Sequence, residues 1–209
     1  MLSQTNRWLG VLLITLCLAS SAHAARLLTT LWQIGAEDRD NAEFALAPSH
    51  YDQFTEDAFY RIGVSQPQTD WPYVQPGPND AWAGSRPHTF TIVFGLNNIL
   101  EDGPWTLRVH LLDTQRQAPP RLKIQVNGQP FEQRLPAGAS DASIFGDPRQ
   151  GSPFSFAIDI PPAALQVGDN VLTLTTVSGC WLLYDSLSLD APAEVKLAPV
   201  TGSTFLEGS

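Results

Sequence analysis

Apolar side chains in this chain recur at every second position, in short runs separated by turn residues. Phe90, Ile92, Phe94 and Leu96 alternate with Thr89, Thr91 and Val93. Trp105, Leu107, Val109 and Leu111 alternate with Arg108 and His110, and Leu122, Ile124 and Val126 with Arg121, Lys123 and Gln125. Successive side chains of a strand point to opposite faces, so each run reads as a strand with one buried face. Further strands are expected at 28–34, at 59–64 with Phe59 and Ile62 inward, from Phe131 onward, through Phe154, Phe156, Ile158 and Ile160, at 171–177 and at 181–189. Asn127-Gly128 carries the residues of a tight hairpin. Helical periodicity is confined to a short candidate at 38–47. Seventeen prolines and fifteen glycines divide the rest. The gaps are too short or too proline-rich for the helical crossovers that parallel strands require. The expected fold is all-β, an antiparallel β-sandwich of jelly-roll type.

The first residues have another character. Arg7 precedes an apolar run at 8–18, and small residues then lead to Ala22-His23-Ala24. This is the pattern of an export signal with an A-x-A cleavage site. The run is shorter than the roughly 20 residues a membrane-spanning helix needs, and Leu16 before Cys17 lacks the small residue of a lipoprotein site. The expected organisation is a signal peptide at 1–24, the sandwich at 25–190 and a polar tail or linker at 191–209. The mature protein is expected in the periplasm or outside the cell, with no transmembrane segment. Cleavage would leave Cys180 as the remaining cysteine, and its apolar neighbourhood reads as that of a small buried hydrophobe. A sandwich of this size buries enough surface to need no disulfide.

Charge narrows the partners. Twelve basic residues stand against twenty-one acidic ones, a formal net charge of −9. Nucleic acid and anionic membranes select basic surfaces and are excluded as partners. An acidic glycan would have to be recognised by local groups acting against the overall field.

Catalytic patterns are sparse. There is no G-x-S-x-G elbow, phosphate loop or dinucleotide fingerprint. His50, His88 and His110 lack zinc spacing. Glu37–Asp38, Glu56–Asp57 and Glu101–Asp102 are adjacent carboxylates, but glycoside chemistry needs two held across a cleft; turn and cap positions explain them equally well. No cofactor or metal is expected. Calcium suits jelly-roll loops, yet no spacing here supports it.

Two long irregular stretches, 66–87 and 135–153, hold the remaining information. Long loops in compact domains are functional or disordered, and the first is too aromatic for disorder. Asp70, Trp71, Tyr73, Asn79, Asp80 and Trp82 lie close together in it. Flat amphipathic rings suit the CH faces of a sugar, and carboxylate and amide groups suit its hydroxyls. These six are the candidate ligand-binding residues. The competing reading is that the tryptophans plug one end of the sandwich.

Several motifs follow one another in a familiar order: Trp32-Gln33-Ile34-Gly35 with Asp38-Arg39, the 59–65 segment FYRIGVS, Asp70-Trp71-Pro72-Tyr73-Val74-Gln75, the Trp82 loop, Val126-Asn127-Gly128, the 165–170 segment LQVGDN, and Trp181 with Tyr184-Asp185. Together they resemble the C-terminal domain III of rhamnogalacturonan lyases of polysaccharide lyase family 4. The resemblance covers roughly 31–190 and implies a jelly roll like that of carbohydrate-binding modules. In those lyases the catalytic lysine and histidine lie in a separate N-terminal domain, and no residue here matches a catalytic position.

The resulting expectation is an exported, non-catalytic module for pectin-type or other polysaccharide. A structural or assembly role in the cell envelope, without a glycan ligand, is the alternative. A small lyase or hydrolase is a third reading, motivated by the acidic pairs and the family association.

Overall fold

The structure is a computed structural model, which describes residues 27–202. Residues 1–26, which include the signal peptide expected at 1–24, lie outside the described residues, as do 203–209. Eleven strands follow in order: β1 (Leu28–Gly35), β2 (Phe59–Arg61), β3 (Val74–Gln75), β4 (Thr89–Leu96), β5 (Thr106–Thr114), β6 (Arg121–Val126), β7 (Gln129–Arg134), β8 (Phe154–Asp159), β9 (Gly168–Ser178), β10 (Leu182–Pro192) and β11 (Leu197–Ala198). They form two facing sheets. One runs β1-β10-β5-β8, with β3 also paired to β10; the other runs β11-β4-β9-β6-β7, with β2 paired to β4. The described strand pairings are antiparallel except β2 with β4, and an isolated bridge between Ala45 and Pro72 is also parallel. This is a β-sandwich of jelly-roll type.

The alternation seen in the sequence sets the core. Leu122, Ile124 and Val126 face inward on β6, against Leu172 and Leu174 of β9 and Phe90, Ile92 and Phe94 of β4, all removed from solvent. Full burial of each such side chain contributes about 1.5–3 kcal/mol. β10 is buried at every position. Its leucines enter the core, and its outward serines are covered by neighbouring strands, Ser188 lying between Gln33 and Arg108. Asp190, at the end of that row, accepts from Thr30 Oγ1 at 2.9 Å and Arg108 Nε at 2.6 Å. Asn127 and Gly128 take positive φ at the β6–β7 hairpin, as that turn requires.

Three expectations change. Residues 38–47 form turns, not a helix. The amides of Asp38 and Arg39 donate to the Asp185 carboxylate, those of Asn41 and Ala42 to Asp40, and that of Ala36 to Glu43. Arg39 and Leu46 sit at φ 67° and 65°, which no α-helix accommodates. In β2 the inward residue is Tyr60, not Phe59. Its parallel register sets Tyr60 beside inward Ile92 and Phe59 beside outward Thr91. Residues 191–202 do not leave the domain as a tail. Ala191 and Val195 are buried, Leu197–Ala198 pairs with Leu96 and Gly95 of β4, and Asp169 accepts the amides of Thr201 and Gly202.

Candidate functional site

The 66–87 stretch begins with a single helical turn, Pro67–Asp70, with Pro67 in its first turn and the Asp70 carboxylate accepting the Gln66 amide at 2.8 Å. The chain then dives inward. Trp71 and Tyr73 have no exposed surface. The Trp71 ring meets Phe90 at 5.2 Å, Tyr184 at 5.3 Å and Tyr60 at 6.0 Å between centroids. The Tyr73 hydroxyl donates to the Ile144 carbonyl at 2.7 Å, and burial raises its pKa well above the ordinary phenol value. Gln75 is also fully buried, its amide donating to the carbonyls of His88 and Leu174.

Past Gln75 the chain turns outward again. Gly77 lies so close to the 179–180 backbone that a Cβ would stand 2.4 Å from the Gly179 carbonyl oxygen. Asp80 is buried, with its carboxylate accepting the Gly77 amide at 2.8 Å and the side chains of Trp82 and Cys180. Burial raises the Asp80 pKa, and these hydrogen bonds together with His88 hold the rise back. The Trp82 ring stays half-exposed, edge-on to Tyr51 at 5.0 Å and to Phe54 at 6.3 Å. Behind it, His88 is fully buried, with Nδ1 at 2.5 Å from Asp57 and Nε2 at 2.9 Å from the Ala83 carbonyl. Trp82 is thus braced by Asp80 from one side and by His88, through Ala83, from the other.

The second stretch, 135–153, is fastened by one buried carboxylate. Asp113 Oδ1 accepts the amides of Thr114, Ala139 and Ser152, and Oδ2 accepts the Ser143 hydroxyl at 2.6 Å. Gly138 makes the close approach that this requires: a Cβ there would lie 1.8 Å from the Thr114 carbonyl oxygen. So held, the loop turns Ile144 into the core and leaves Phe145 60% exposed. Phe145 meets Tyr51 at 5.6 Å. The two long irregular stretches therefore meet at one end of the sandwich. There Tyr51, Trp82 and Phe145 form a chain of edge-to-face rings open to solvent, with exposed His50, Asp52, Asn79 and Asp141 on the nearby loops.

This corrects the candidate set. Trp71 and Tyr73 are core residues with no face to offer a ligand. Asp80 is an internal brace, and Asp70 holds its own helical turn. Of the six, Asn79 and Trp82 stand at the surface beside the aromatic group. Tyr51 and Phe145 were missed, because each is an isolated aromatic in an irregular segment. The signal that could have found Phe145 is its position next to Ile144 in an otherwise polar loop: one of two adjacent apolar residues there must point away from the core. Among the described residues, no three His, Cys, Asp or Glu side chains converge to hold a metal ion. Asp57, one of the paired carboxylates, is engaged by His88 and the Thr89 amide. Cys180 is half-buried, and burial together with Asp80 raises its thiol pKa to about 11.

Residues 30–189 match the family model described as CBM-like, polysaccharide lyase family 4, domain III. The chain belongs to this family. Comparison with curated proteins gave no match. Among solved structures, a family 35 carbohydrate-binding module from an environmental isolate aligns at 13% identity, over 55% of this chain and 72% of that one, with a TM-score of 0.37. A family 35 module of Cellvibrio japonicus Abf62 aligns at 15% identity, over 56% and 73%, with a TM-score of 0.33. Dimeric latent PorU from Porphyromonas gingivalis aligns at 14% identity, over 49% of this chain and 10% of that one, with a TM-score of 0.35. The matched span includes Tyr51, Trp82 and Phe145.

Proposed function

We propose that this domain III protein is an exported, non-catalytic carbohydrate-binding module whose ligand lies on Tyr51, Trp82 and Phe145. The observation that carries the reading is Phe145. A phenylalanine 60% exposed, in edge contact with a second ring that touches a third, is surface that folding leaves uncovered. The group is rigid, because Asp80 and the His88–Asp57 pair fix Trp82 while Asp113 fixes the Phe145 loop. Rigid aromatic surface with polar groups at its edge suits a sugar, since the CH faces bury against rings at little ordering cost. Family membership supports the ligand class. Elsewhere, large exposed apolar side chains such as Leu27, Phe59, Val64, Val167 and Leu197 lie on separate elements.

Export rests on the N-terminal signal pattern, and N-terminal sequencing of the exported protein is expected to begin at Ala25. The binding reading is tested by a polysaccharide array with the chain from residue 25 onward. Saturable binding to one glycan class, weakened by Tyr51→Ala or Trp82→Ala in a folded protein, is the expected outcome. Silence across the array would remove the reading and turn attention to protein partners of the envelope.

A further inference from the structure

The free edges of the two sheets are guarded unequally. An edge strand exposes unpaired N–H and C=O groups, and proteins blunt it with prolines, charges, bulges or shortness. β7 carries Pro130, Glu132 and Arg134, β1 has a bulge between Thr30 and Trp32, and β2 and β11 span three and two residues. β8, the edge beside β5, has an unbroken register, no proline, and a single charge, Asp159, at its end. The Ile160 amide donates to the Trp105 carbonyl at 2.8 Å. Bonding alternates along an antiparallel ladder, so Ile158, Phe156 and Phe154 bond to β5, and the backbone groups of Ser155, Ala157 and Asp159 point away from it. Among the described residues no strand pairs with that edge. Its inward side chains are also incompletely covered: Phe154, Phe156 and Ile158 remain half-exposed, the two phenyl rings stacked at 6.2 Å.

We infer that β8 is the contact strand of a two-fold dimer, paired antiparallel with β8 of a second copy about an axis at Ala157. The strand is self-complementary in that register. Ala157 stands opposite Ala157 and Ser155 opposite Asp159 of the other copy, so every outward N–H and C=O of both strands is met. Moving the axis to Phe156 or Ile158 sets Asp159 opposite Pro153 or Ser155 opposite Pro161, prolines with no N–H to give. The side chains agree with the backbone. Small methyl groups meet at the axis, Phe156 lies opposite Ile158 on the inner face, and the Ser155 hydroxyl receives the Asp159 carboxylate; pairs of these kinds stabilise sheets. Behind Ser155, His110 Nδ1 lies 2.9 Å from its Oγ and 3.3 Å from the exposed Glu37 carboxylate. The arriving acid therefore meets a hydroxyl backed by an imidazole and stays clear of the second Asp159. Two chains of net charge −9 repel, and β8 lets them meet with one charge per strand. The inference uses no part of the carbohydrate reading.

The test is sedimentation velocity of the chain from residue 25 onward at about 1–300 μM, a range set by the micromolar Kd expected of one strand pair, a small contact next to the roughly 800 Å² per partner of a standard interface. A reversible monomer–dimer equilibrium is expected, strengthened by added salt, which screens the repulsion of two acidic chains. On dimerisation the amides of Ser155, Ala157 and Asp159 should exchange at least about tenfold more slowly. Ala157→Pro removes an N–H that bonds to nothing within one copy, and Ala157→Lys places two ammonium groups against each other at an exposed position. Both variants should keep a near-native urea midpoint and lose the dimer. A protein that stays monomeric across the range overturns the inference, as does a dimer that persists in Ala157→Lys. Protection of the three amides only on adding an extended peptide of unrelated sequence also overturns it, because the occupant is then a foreign strand and not a second copy.

Discussion

The two tryptophans of the 66–87 loop should respond to truncation in opposite ways. Trp71 has no exposed surface and makes edge contacts with Tyr60, Phe90 and Tyr184. Its indole nitrogen has no hydrogen-bond partner, so Trp71→Ala removes packing alone, with no polar group to replace. Truncating a buried tryptophan costs about 3–5 kcal/mol from lost transfer energy and the cavity left behind. Native domains are stable by about 5–15 kcal/mol, so the variant should fold with much of its margin gone. For a domain of this size that corresponds to a fall in Tm of about 6–20 °C. Trp71→Phe should recover more than half of the loss, because a ring is kept and the unpartnered N–H is removed. Trp82→Ala, at a half-exposed position, should cost less than about 1.5 kcal/mol and lower glycan affinity instead. Urea unfolding followed by fluorescence reads the first quantity and calorimetry the second. A Trp71→Ala protein with unchanged midpoint and abolished glycan binding would refute the assignment of Trp71 to the core.

Other outcomes follow from the same contacts. Asp113→Ala leaves the Thr114, Ala139 and Ser152 amides without their acceptor and should cost about 2–4 kcal/mol. Faster hydrogen exchange at Ala139 and Ser152 than elsewhere in the domain would localise the effect, whereas uniform exchange would count against a local clamp. Asp80 has a folded pKa above its unfolded value of 3.8. Its contribution to stability is therefore complete below about pH 3.8 and is lost as pH rises through the folded value. As pH rises above 3.8 the protein should lose stability relative to Asp80→Asn; parallel curves would contradict the assignment. Cys180, raised from 9.0 to about 11, should react with iodoacetamide at pH 8 about a hundredfold more slowly than an unhindered thiol. A rate that levels off near pH 9 would speak against that environment.

Much of the sandwich was legible because hydrophobic alternation in β4, β5 and β6 is a local property, set by the two-residue period of a strand. What was not legible depended on partners distant in sequence. Whether Phe59 or Tyr60 turns inward is decided by the parallel register with β4, and nothing within 59–64 encodes that. Residues 38–47 have helical spacing, but Asp185, far along the chain, captures their amides. The end of the domain was placed too early because β11 needs two residues to pair with β4, too short a run to show alternation. At the candidate site, aromatic composition alone does not separate the rings that plug the sandwich, Trp71 and Tyr73, from the one that remains outside, Trp82. That separation is made by Tyr60, Phe90 and Ile144, which take the first two as partners, while Tyr51 and Phe145 extend the third into a surface.

The most direct measurement of the central claim is a calorimetric titration of a polysaccharide that binds the unmodified protein into Tyr51→Ala/Trp82→Ala, with urea unfolding of the same samples. The account predicts at least a tenfold loss of affinity, about 1.4 kcal/mol, with a near-native unfolding midpoint. Undiminished affinity in a folded double variant would contradict it and place the glycan on another surface of the sandwich.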